Sequence, residues 1–266
     1  MREKGEGKRE KGFFAESDRA DTHHNLIWGR KPILEWLKSG LAIKTIALSR
    51  EAGGHIISDI LSIAEQKKIG VKRLHPARLD HMTGTDKHQN IIAEVELPPY
   101  STLTDIYDVA QRRQEAPLIA MLDGVQDPHN LGAILRSADA AGVHGIIIPK
   151  DKAVGLTPTV LKASAGTAAW VPVVPVTNLS RTIDELKKQG VWFTGAIDDA
   201  DTPYTESDMT GPTVLILGSE GKGIRRLVRE KCDFLIRIPM YGKVSSLNVS
   251  VAAGLLFFEA RRQRGE

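Results

Sequence analysis

Short apolar stretches alternate with helical segments from Pro117 onward, and this alternation constrains the fold more than any other feature. Six such stretches follow in order: "LIAML", "GIIIP", "VPVVPV", "VWFTGAI", "TVLILG" and "FLIRIP". Strands that are apolar along most of their length, with helices between them, are typical of a largely parallel sheet covered on both faces. The pattern predicts an α/β domain over residues 117–266, with a last helix beginning near Ser246.

A smaller α/β unit is predicted over residues 23–97, before the chain is broken by Pro98 and Pro99. Its strands would be "IKTIALS", "VKRLH" and "NIIAEVEL", and its helices "PILEWLKSG" and "ISDILSIAEQKKIG", which end at glycines. Residues 98–116 are predicted to form a linker containing a helix, capped by Ser101 or Thr102. Residues 1–22 hold six basic and six acidic side chains and are predicted to be a disordered tail.

Composition excludes several classes of protein. No stretch approaches the roughly 18 apolar residues of a membrane span, and the first 22 residues lack the apolar segment of a signal peptide. The single cysteine, Cys232, excludes an intramolecular disulfide and a cysteine-rich metal site. These features predict a cytoplasmic protein without a membrane or metal partner. A net charge of +3 permits a nucleic-acid partner without requiring one.

Three loops at the predicted ends of strands carry unusual residues, and ligands of α/β sheets gather at such ends. The first is "LDGVQDPHNLGAILRSADAAG", with a helix-start signal and a glycine, Gly132, that permits close packing. The second, "LILGSEGKGI", has three glycines but matches neither a dinucleotide nor a phosphate-loop fingerprint. The third, "GKVSSLNVSVAAG", is crowded with small residues. Taken singly, the first could be an ordinary capped helix, the second a plain turn and the third a packed core helix.

Together, the three blocks resemble the three motifs of the SpoU-type (TrmH-like) RNA 2′-O-ribose methyltransferases of the SPOUT superfamily. The resemblance covers residues 113–266. "WGRKPILEWLKSG" and "DKHQNIIAEV" also resemble the two ends of the substrate-binding domain of the ribosomal RNA branch, a domain similar in fold to RNA-binding ribosomal proteins. This resemblance implies a parallel sheet with a deep trefoil knot, S-adenosylmethionine as methyl donor, no metal, and a homodimer.

The resemblance also implies the site residues, which carry over one at a time. The catalytic positions would be Asn130, Arg136, Glu220, Ser246 and Asn248. The cofactor would be bound by Gly195, Leu217, Gly218, Gly221, Ile238, Met240 and Leu247. RNA would be bound by Arg30, His88, Gln89 and Arg225. Asn90 stands where the family commonly has glycine, and asparagine is the residue after glycine that most readily accepts a left-handed backbone.

The implied reaction is an in-line displacement in which a ribose 2′-oxygen attacks a sulfonium methyl group. Arg136 could act as base, phosphate anchor or oxyanion stabiliser, although a guanidinium is effectively always protonated. Ribosomal RNA is the favoured substrate, with a guanosine of 23S rRNA as the most specific hypothesis. The alternatives are a tRNA 2′-O-ribose methyltransferase and a non-catalytic RNA-binding or ribosome-assembly protein. The apolar run from Leu255 to Phe258 predicts a dimer interface.

Overall fold

The computed structural model describes residues 25–265, so the predicted tail at residues 1–22 lies outside the described part of the chain. The chain forms two compact units. The first contains the described residues up to Leu34 together with Ile43–Val95, and the second contains Glu35–Ala42 and the residues from Glu96 onward. The segment Glu35–Ala42 thus belongs to the second unit, inside the range predicted for the small domain.

The small unit is built on a four-stranded mixed sheet with the order β1-β4-β2-β3. Strand β4 is antiparallel to both β1 and β2, whereas β2 and β3 are parallel. Its elements are β1 (Leu26–Trp28), α1 (Arg30–Lys38, whose end lies in the second unit), β2 (Ile43–Ser49), α2 (His55–Gln66), β3 (Gly70–Leu74), α3 (Pro76–Thr83) and β4 (Ile91–Val95).

The larger unit contains a seven-stranded sheet with the order β7-β6-β5-β10-β8-β11-β9, and every neighbouring pair is parallel. Its elements are α4 (Leu103–Arg113), β5 (Leu118–Asp123), α5 (Pro128–Ala140), β6 (Gly145–Pro149), α6 (Pro158–Ala163), β7 (Val173–Val176), α7 (Leu179–Lys187), β8 (Trp192–Ala196), β9 (Thr202–Pro203), β10 (Thr213–Gly218), α8 (Arg226–Arg229), β11 (Phe234–Arg237) and α9 (Val249–Gln263).

The core of the larger unit lies against the central strands, which are buried along their length. All residues of β5 and β6 are buried, as expected for parallel strands covered on both faces. One face packs against α7 and α8, and α4 contributes the fully buried Ile106 to the same cluster. The predicted linker helix is therefore an integral part of the second unit.

All nine predicted strands are present, with small differences at their ends. Two helix predictions were wrong in their limits. Helix α2 ends at Gln66 instead of Gly70, because Lys68 adopts a left-handed φ of 56° and Gly70 already begins β3. Helix α9 begins at Val249 instead of Ser246. The pattern missed β1, α3 and the two-residue strand β9, all of which are short.

No helix within residues 25–265 has the length and apolar character needed to cross a bilayer.

Candidate active site

The three unusual loops meet because they leave neighbouring parallel strands at the same edge of the sheet. The first loop follows β5, the second follows β10 and the third follows β11, while β10 and β8 lie between β5 and β11 in the sheet. Residues far apart in sequence are therefore brought together at the carboxyl ends of the strands, where α/β sheets bind ligands.

One hydrogen-bonded cluster joins the three loops. Asn130 Nδ2 and Asn248 Nδ2 both donate to Glu220 Oε1, at 2.9 Å and 2.7 Å. Asn248 Nδ2 also donates to Asn130 Oδ1 at 2.9 Å. An ionised carboxylate only accepts hydrogen bonds, so both amide nitrogens must face Glu220. The described residues offer no hydrogen-bond partner to Glu220 Oε2, which leaves that oxygen available to a ligand.

Local sequence explains how the two asparagines are positioned. Asp127 caps helix α5 by accepting from His129 N at 2.9 Å, and Pro128 occupies the first turn, so Asn130 falls in that turn. Asn248 caps helix α9, and its Oδ1 accepts from both Ser250 N and Ser250 Oγ. Each asparagine is thus fixed at the beginning of a helix and directed toward Glu220.

The glycine loop between β10 and α8 is held by its own backbone and by a buried carboxylate. A Cβ added at Gly218 would collide with the carbonyl of Gly223 and with Ile224 N. Asp123, buried at the end of β5, accepts from Arg225 N at 2.8 Å and from Arg225 Nε at 2.6 Å. The Asp123–Arg225 pair holds the glycine loop against β5, the strand next to β10.

A cavity of about 490 Å³ lies beside this cluster. Six of the seven predicted cofactor residues line it: Leu217, Gly218, Gly221, Ile238, Met240 and Leu247. Gly195 does not line it; a Cβ there would lie 2.7 Å from Cys232 Sγ, so this glycine permits close packing behind the site. The neighbours Ala196 and Ile197 line the cavity in its place, because the chain reaches the sheet edge only after Gly195.

The five predicted catalytic residues are not all brought together within one chain. Ser246 lines the cavity, and Asn130, Glu220 and Asn248 form the cluster. Arg136 is exposed, lines neither cavity at this edge, and has no hydrogen-bond or ion-pair partner among residues 25–265. Six positions along a helix rotate a side chain by about 240° and advance it by about 9 Å, so Arg136 and Asn130 face different directions.

The RNA-binding positions predicted in the small unit form one group. Arg30 N donates to Gln89 Oε1 at 3.0 Å, and Arg30 Nε donates to Gln89 O at 3.4 Å. His88 is buried: its Nδ1 accepts from Asn90 N at 3.0 Å, and its Nε2 lies 2.7 Å from Asp80 Oδ1. The buried His88 therefore supports the loop that contains Gln89, and the exposed Gln89 is the member of this pair that is accessible to RNA. Asn90 has a φ of 65°, which confirms the expected left-handed backbone.

Sequence reasoning missed three residues at this edge. Asp123 follows an apolar strand directly, which is the only signal that it carries. Asp123 also gives a structural role to Arg225, which the resemblance had placed among the RNA-binding residues. The backbone N–H and Nε of Arg225 anchor the glycine loop to Asp123, while the rest of the side chain is exposed. Gln126 and Lys222 line a second, smaller cavity and lie within the quoted blocks, but nothing in their spacing distinguished them from loop residues. Within the described part of the chain, no group of side chains has the composition of a metal site.

Two family models match the chain. The SpoU rRNA Methylase family matches residues 117–258, and the RNA 2′-O ribose methyltransferase substrate-binding domain matches residues 26–101. The 23S rRNA (guanosine-2′-O-)-methyltransferase RlmB of Pseudomonas putida is 45% identical over 222 residues, which cover 84% of this chain and 89% of that protein. The enzyme of the same name from Nitrosomonas europaea is 43% identical over 247 residues, covering 92% and 94%.

Solved structures are similar along nearly the whole chain. The SpoU methyltransferase AviRb of Streptomyces viridochromogenes, in complex with the cofactor AdoMet, has a TM-score of 0.66 and 28% identity, covering 90% of each chain. The AdoMet-bound rRNA methyltransferase of Sinorhizobium meliloti has a TM-score of 0.65 and 27% identity, covering 92% of this chain and 89% of that one. The parallel sheet, the three-loop site and these similarities define a methyltransferase. The chain belongs to the SpoU rRNA methylase family.

Proposed function

We propose that this protein methylates the ribose 2′-oxygen of a guanosine in 23S ribosomal RNA, with S-adenosylmethionine as the methyl donor. The observation that carries the proposal is the Asn130–Glu220–Asn248 cluster, which joins all three motif loops next to the larger cavity. The names of the relatives from Pseudomonas putida and Nitrosomonas europaea support the choice of RNA and nucleotide.

The larger cavity fits S-adenosylmethionine on its own chemistry. Its volume of about 490 Å³ lies within the range of small-molecule sites, roughly 300–1,000 Å³. Apolar side chains suited to an adenine ring line it, including Leu217, Ile238 and Leu247. Asp198 lies on the same wall and offers a carboxylate to hydroxyl or ammonium groups. No metal is required, because the donor's sulfonium is already an activated leaving group.

The residues of the cluster supply alignment and proton handling, which are what such a transfer requires. The bound cofactor supplies a methyl group on a positively charged sulfur. Glu220 is fixed through Oε1 by two amides, so its Oε2 has a defined direction in which to accept the proton of a ribose hydroxyl. Asn130 and Asn248 are positioning residues in this scheme, and Ser246 contributes a hydroxyl at the cavity wall.

Arg136 acts from a second subunit in this proposal, and the protein is a homodimer. Its exposed guanidinium has no partner among the described residues of its own chain. Helix α9 supports a dimer, because Val251, Leu255 and Phe258 are 51%, 40% and 53% exposed at helical spacing and form one apolar stripe. A permanently charged arginine suits an anchor for RNA phosphate or a stabiliser of the developing oxyanion better than a base.

The small unit recognises the RNA in this proposal and favours ribosomal RNA over tRNA. The match of residues 26–101 to a substrate-binding domain supports it. The A. aeolicus TrmH/SpoU tRNA modifying enzyme, with a TM-score of 0.51 and 32% identity, covers only 61% of this chain. The rRNA methyltransferase of Sinorhizobium meliloti, in contrast, matches 92% of this chain.

The deep trefoil knot and a cytoplasmic location belong to the same proposal. The match of residues 117–258 to the SpoU rRNA Methylase family supports the knot, because the resemblance to that family implied it. Tracing the chain between β8 and α9 in an experimental structure would test the knot. Fractionation of cells that express the protein would test the location.

The central experiment incubates the protein with labelled S-adenosylmethionine and, separately, 23S rRNA and tRNA, and then maps the modified ribose. A 2′-O-methylguanosine in 23S rRNA is the expected product. Label in tRNA alone would support a tRNA 2′-O-ribose methyltransferase, and RNA binding without any label would support a non-catalytic RNA-binding protein.

A variant of Glu220 tests the role of its carboxylate. Glu220→Gln keeps the shape of the side chain but removes the carboxylate, and should reduce methyl transfer at least a hundredfold while cofactor affinity, measured by calorimetry, changes little.

A further inference from the structure

A second cavity of about 280 Å³ lies beside the Asn130–Glu220–Asn248 cluster and is lined by two of its residues, Asn130 and Glu220. It is lined by the first motif loop, including Gly124, Gln126 and Asp127, together with Asn130. Ser219, Glu220, Lys222 and Val249 line both cavities, so the two spaces share one wall. A group in the smaller cavity would therefore lie next to a cofactor in the larger one, with Glu220 between them.

Three side chains that line the smaller cavity, those of Gln126, Asp127 and Glu220, each carry a hydrogen-bond acceptor. Gln126 Nε2 donates to Lys152 O at 3.4 Å, which leaves its Oε1 as an acceptor. Asp127 Oδ1 accepts from His129 N, and the described residues provide no partner for its Oδ2. Glu220 Oε2 is a third acceptor without a partner in residues 25–265. Acceptors on both Gln126 and Asp127 in one small cavity suit a ligand edge that presents adjacent donors.

Among the four RNA bases, guanine alone has two adjacent donors on its Watson–Crick edge, N1–H and the N2 amino group. Adenine presents an acceptor at N1, which would face a carboxylate oxygen, and cytosine presents an acceptor at N3. Uracil has one donor, flanked by two carbonyl acceptors. Bases that are taken out of a stack for chemistry are commonly read along this edge.

We infer that the smaller cavity receives the acceptor guanosine and that Gln126 and Asp127 determine its specificity by accepting from guanine N1–H and N2–H. This inference rests on the proposed function and assigns the nucleotide selection of that same site. The ribose then faces Glu220 Oε2 at the shared wall, and the 2′-oxygen enters the larger cavity. Lys222 lines both cavities, has no hydrogen-bond or ion-pair partner among residues 25–265, and supplies a cation for an adjoining phosphate.

The decisive variant is Asp127→Asn, because it changes the recognition chemistry without removing the helix cap. An asparagine oxygen caps a helix as well as an aspartate oxygen does, so α5 should keep its first turn. The amide nitrogen then replaces the second carboxylate oxygen and presents donors to the donors of guanine. Gln126→Ala is the second variant, since it removes the neighbouring acceptor alone. Asp108→Asn, at an exposed position on α4 that lines neither cavity, is the matched control.

Binding to the full chain is measured by NMR with guanosine, inosine and adenosine 5′-monophosphates, each titrated to millimolar concentration. We expect shifts in the backbone amides of residues 124–127 and 219–222 and at least tenfold weaker binding of the adenosine nucleotide. Inosine lacks the N2 amino group and should bind with intermediate affinity. Asp127→Asn and Gln126→Ala should reduce the preference for guanosine, whereas Asp108→Asn should retain it.

Equal binding of the guanosine and adenosine nucleotides would overturn the inference, as would a preference that survives Asp127→Asn. Failure of the inference and failure of the proposed function are distinguishable. A protein that methylates 23S rRNA with its guanosine preference unchanged by Asp127→Asn has the proposed function but a different reader of the base. A protein that binds the guanosine nucleotide through Asp127 and transfers no methyl group has the pocket without the reaction.

Discussion

At Gly218, where β10 ends, the backbone of the following loop occupies the space that a side chain would need. The family resemblance implied that Gly218 contacts the cofactor, which a side chain at this position would obstruct. The structure shows a nearer obstacle, because the Cβ would first meet Gly223 and Ile224 of the same chain. Even alanine must therefore displace the loop. A glycine at this position therefore leaves room for the loop that forms the wall of the cavity as well as for the cofactor.

We predict that Gly218→Ala reduces affinity for S-adenosylmethionine by at least tenfold, about 1.4 kcal/mol, because the wall of the larger cavity moves. Isothermal titration calorimetry measures the effect. Gly211→Ala is the control, since nothing lies within 4 Å of its added Cβ and its φ is not positive. Unchanged affinity in Gly218→Ala would mean that the loop accommodates a methyl group freely.

His144 is a second residue whose environment sets a measurable property. Its ring is fully buried, its Nδ1 accepts from Leu118 N at 2.9 Å, and its Nε2 lies 3.1 Å from Glu115 Oε2. Burial lowers the pKa of His144 to about 4, and the nearby Arg113, Arg264 and Arg261 act in the same direction, while Glu115 opposes them. Protonation would also place an N–H against the donor of Leu118.

We predict that the second unit loses stability as the pH falls from 7 to 5. The unfolded histidine titrates near 6.5 and the folded one near 4, so the unfolded state binds more protons in this range and is favoured by about 2 kcal/mol at pH 5. Urea unfolding at the two pH values measures the change. His144→Gln should flatten this dependence, while His129→Gln, at an exposed position, should retain it. An equal pH dependence in His144→Gln would contradict the assignment.

At the scale of elements, helix α4 shows how one cap determines where a helix begins. The sequence left Ser101 and Thr102 as alternative caps. In the structure Thr102 N donates to Asp105 Oδ2 at 2.7 Å, and Asp105 N donates to Thr102 Oγ1 at 3.4 Å, which forms a capping box. The hydrogen bonds from Thr102 also lower the pKa of the Asp105 carboxyl. The helix places Ile106 in the core of the larger unit.

We predict that Thr102→Ala lowers the free energy of unfolding by about 1 kcal/mol, because the first turn of α4 loses its capping partner. Ser101→Ala is the matched control and should change stability little, since Ser101 contributes its backbone N–H to Val173 O and not a capping side chain. Denaturant unfolding of both variants at neutral pH provides the measurement. A larger loss in Ser101→Ala would reverse the assignment of the cap.

At the scale of the whole molecule, the exposed stripe of α9 and the lack of a partner for Arg136 among residues 25–265 both lead us to expect a dimer. We predict that the double variant Leu255→Asp, Phe258→Asp is monomeric in sedimentation and loses methyl transfer. Charges in an apolar interface are costly when they have no partner. Leu227→Asp is the control, because Leu227 is 58% exposed on α8 and outside the stripe. A wild-type protein that sediments as a monomer at micromolar concentration would contradict the dimer.

Mixing two inactive variants tests whether Arg136 acts across the interface. Arg136→Ala and Glu220→Gln should each be inactive alone, with cofactor affinity retained. After subunit exchange, activity should return to about a quarter of the wild-type value, because half the dimers are mixed and each mixed dimer has one intact site. No recovery, in a mixture shown to exchange, would place Arg136 at the site of its own chain.

Residue types and spacing were enough to predict nine of the eleven strands in residues 25–265, the parallel class of the larger sheet and the three loops that form the site. Those features depend on local properties: apolar runs such as 213–218, helix-start residues such as Asp127, and glycines that permit close approach. The resemblance to one family added the residue types expected at each motif. Even the left-handed Asn90 could be anticipated, because the preference of asparagine for that conformation is local.

Which of those residues meet depends on the order of the strands in the folded sheet. Asn130 and Asn248 converge on one oxygen of Glu220 because β5, β10, β8 and β11 are neighbours in the sheet, and strand order is not written in any local pattern. For the same reason, the pairing of Asp123 with Arg225 and the exposure of Arg136 could not be foreseen. Contacts between distant segments depend on how the chain is folded back on itself, and that is the information which residue types and spacing do not carry.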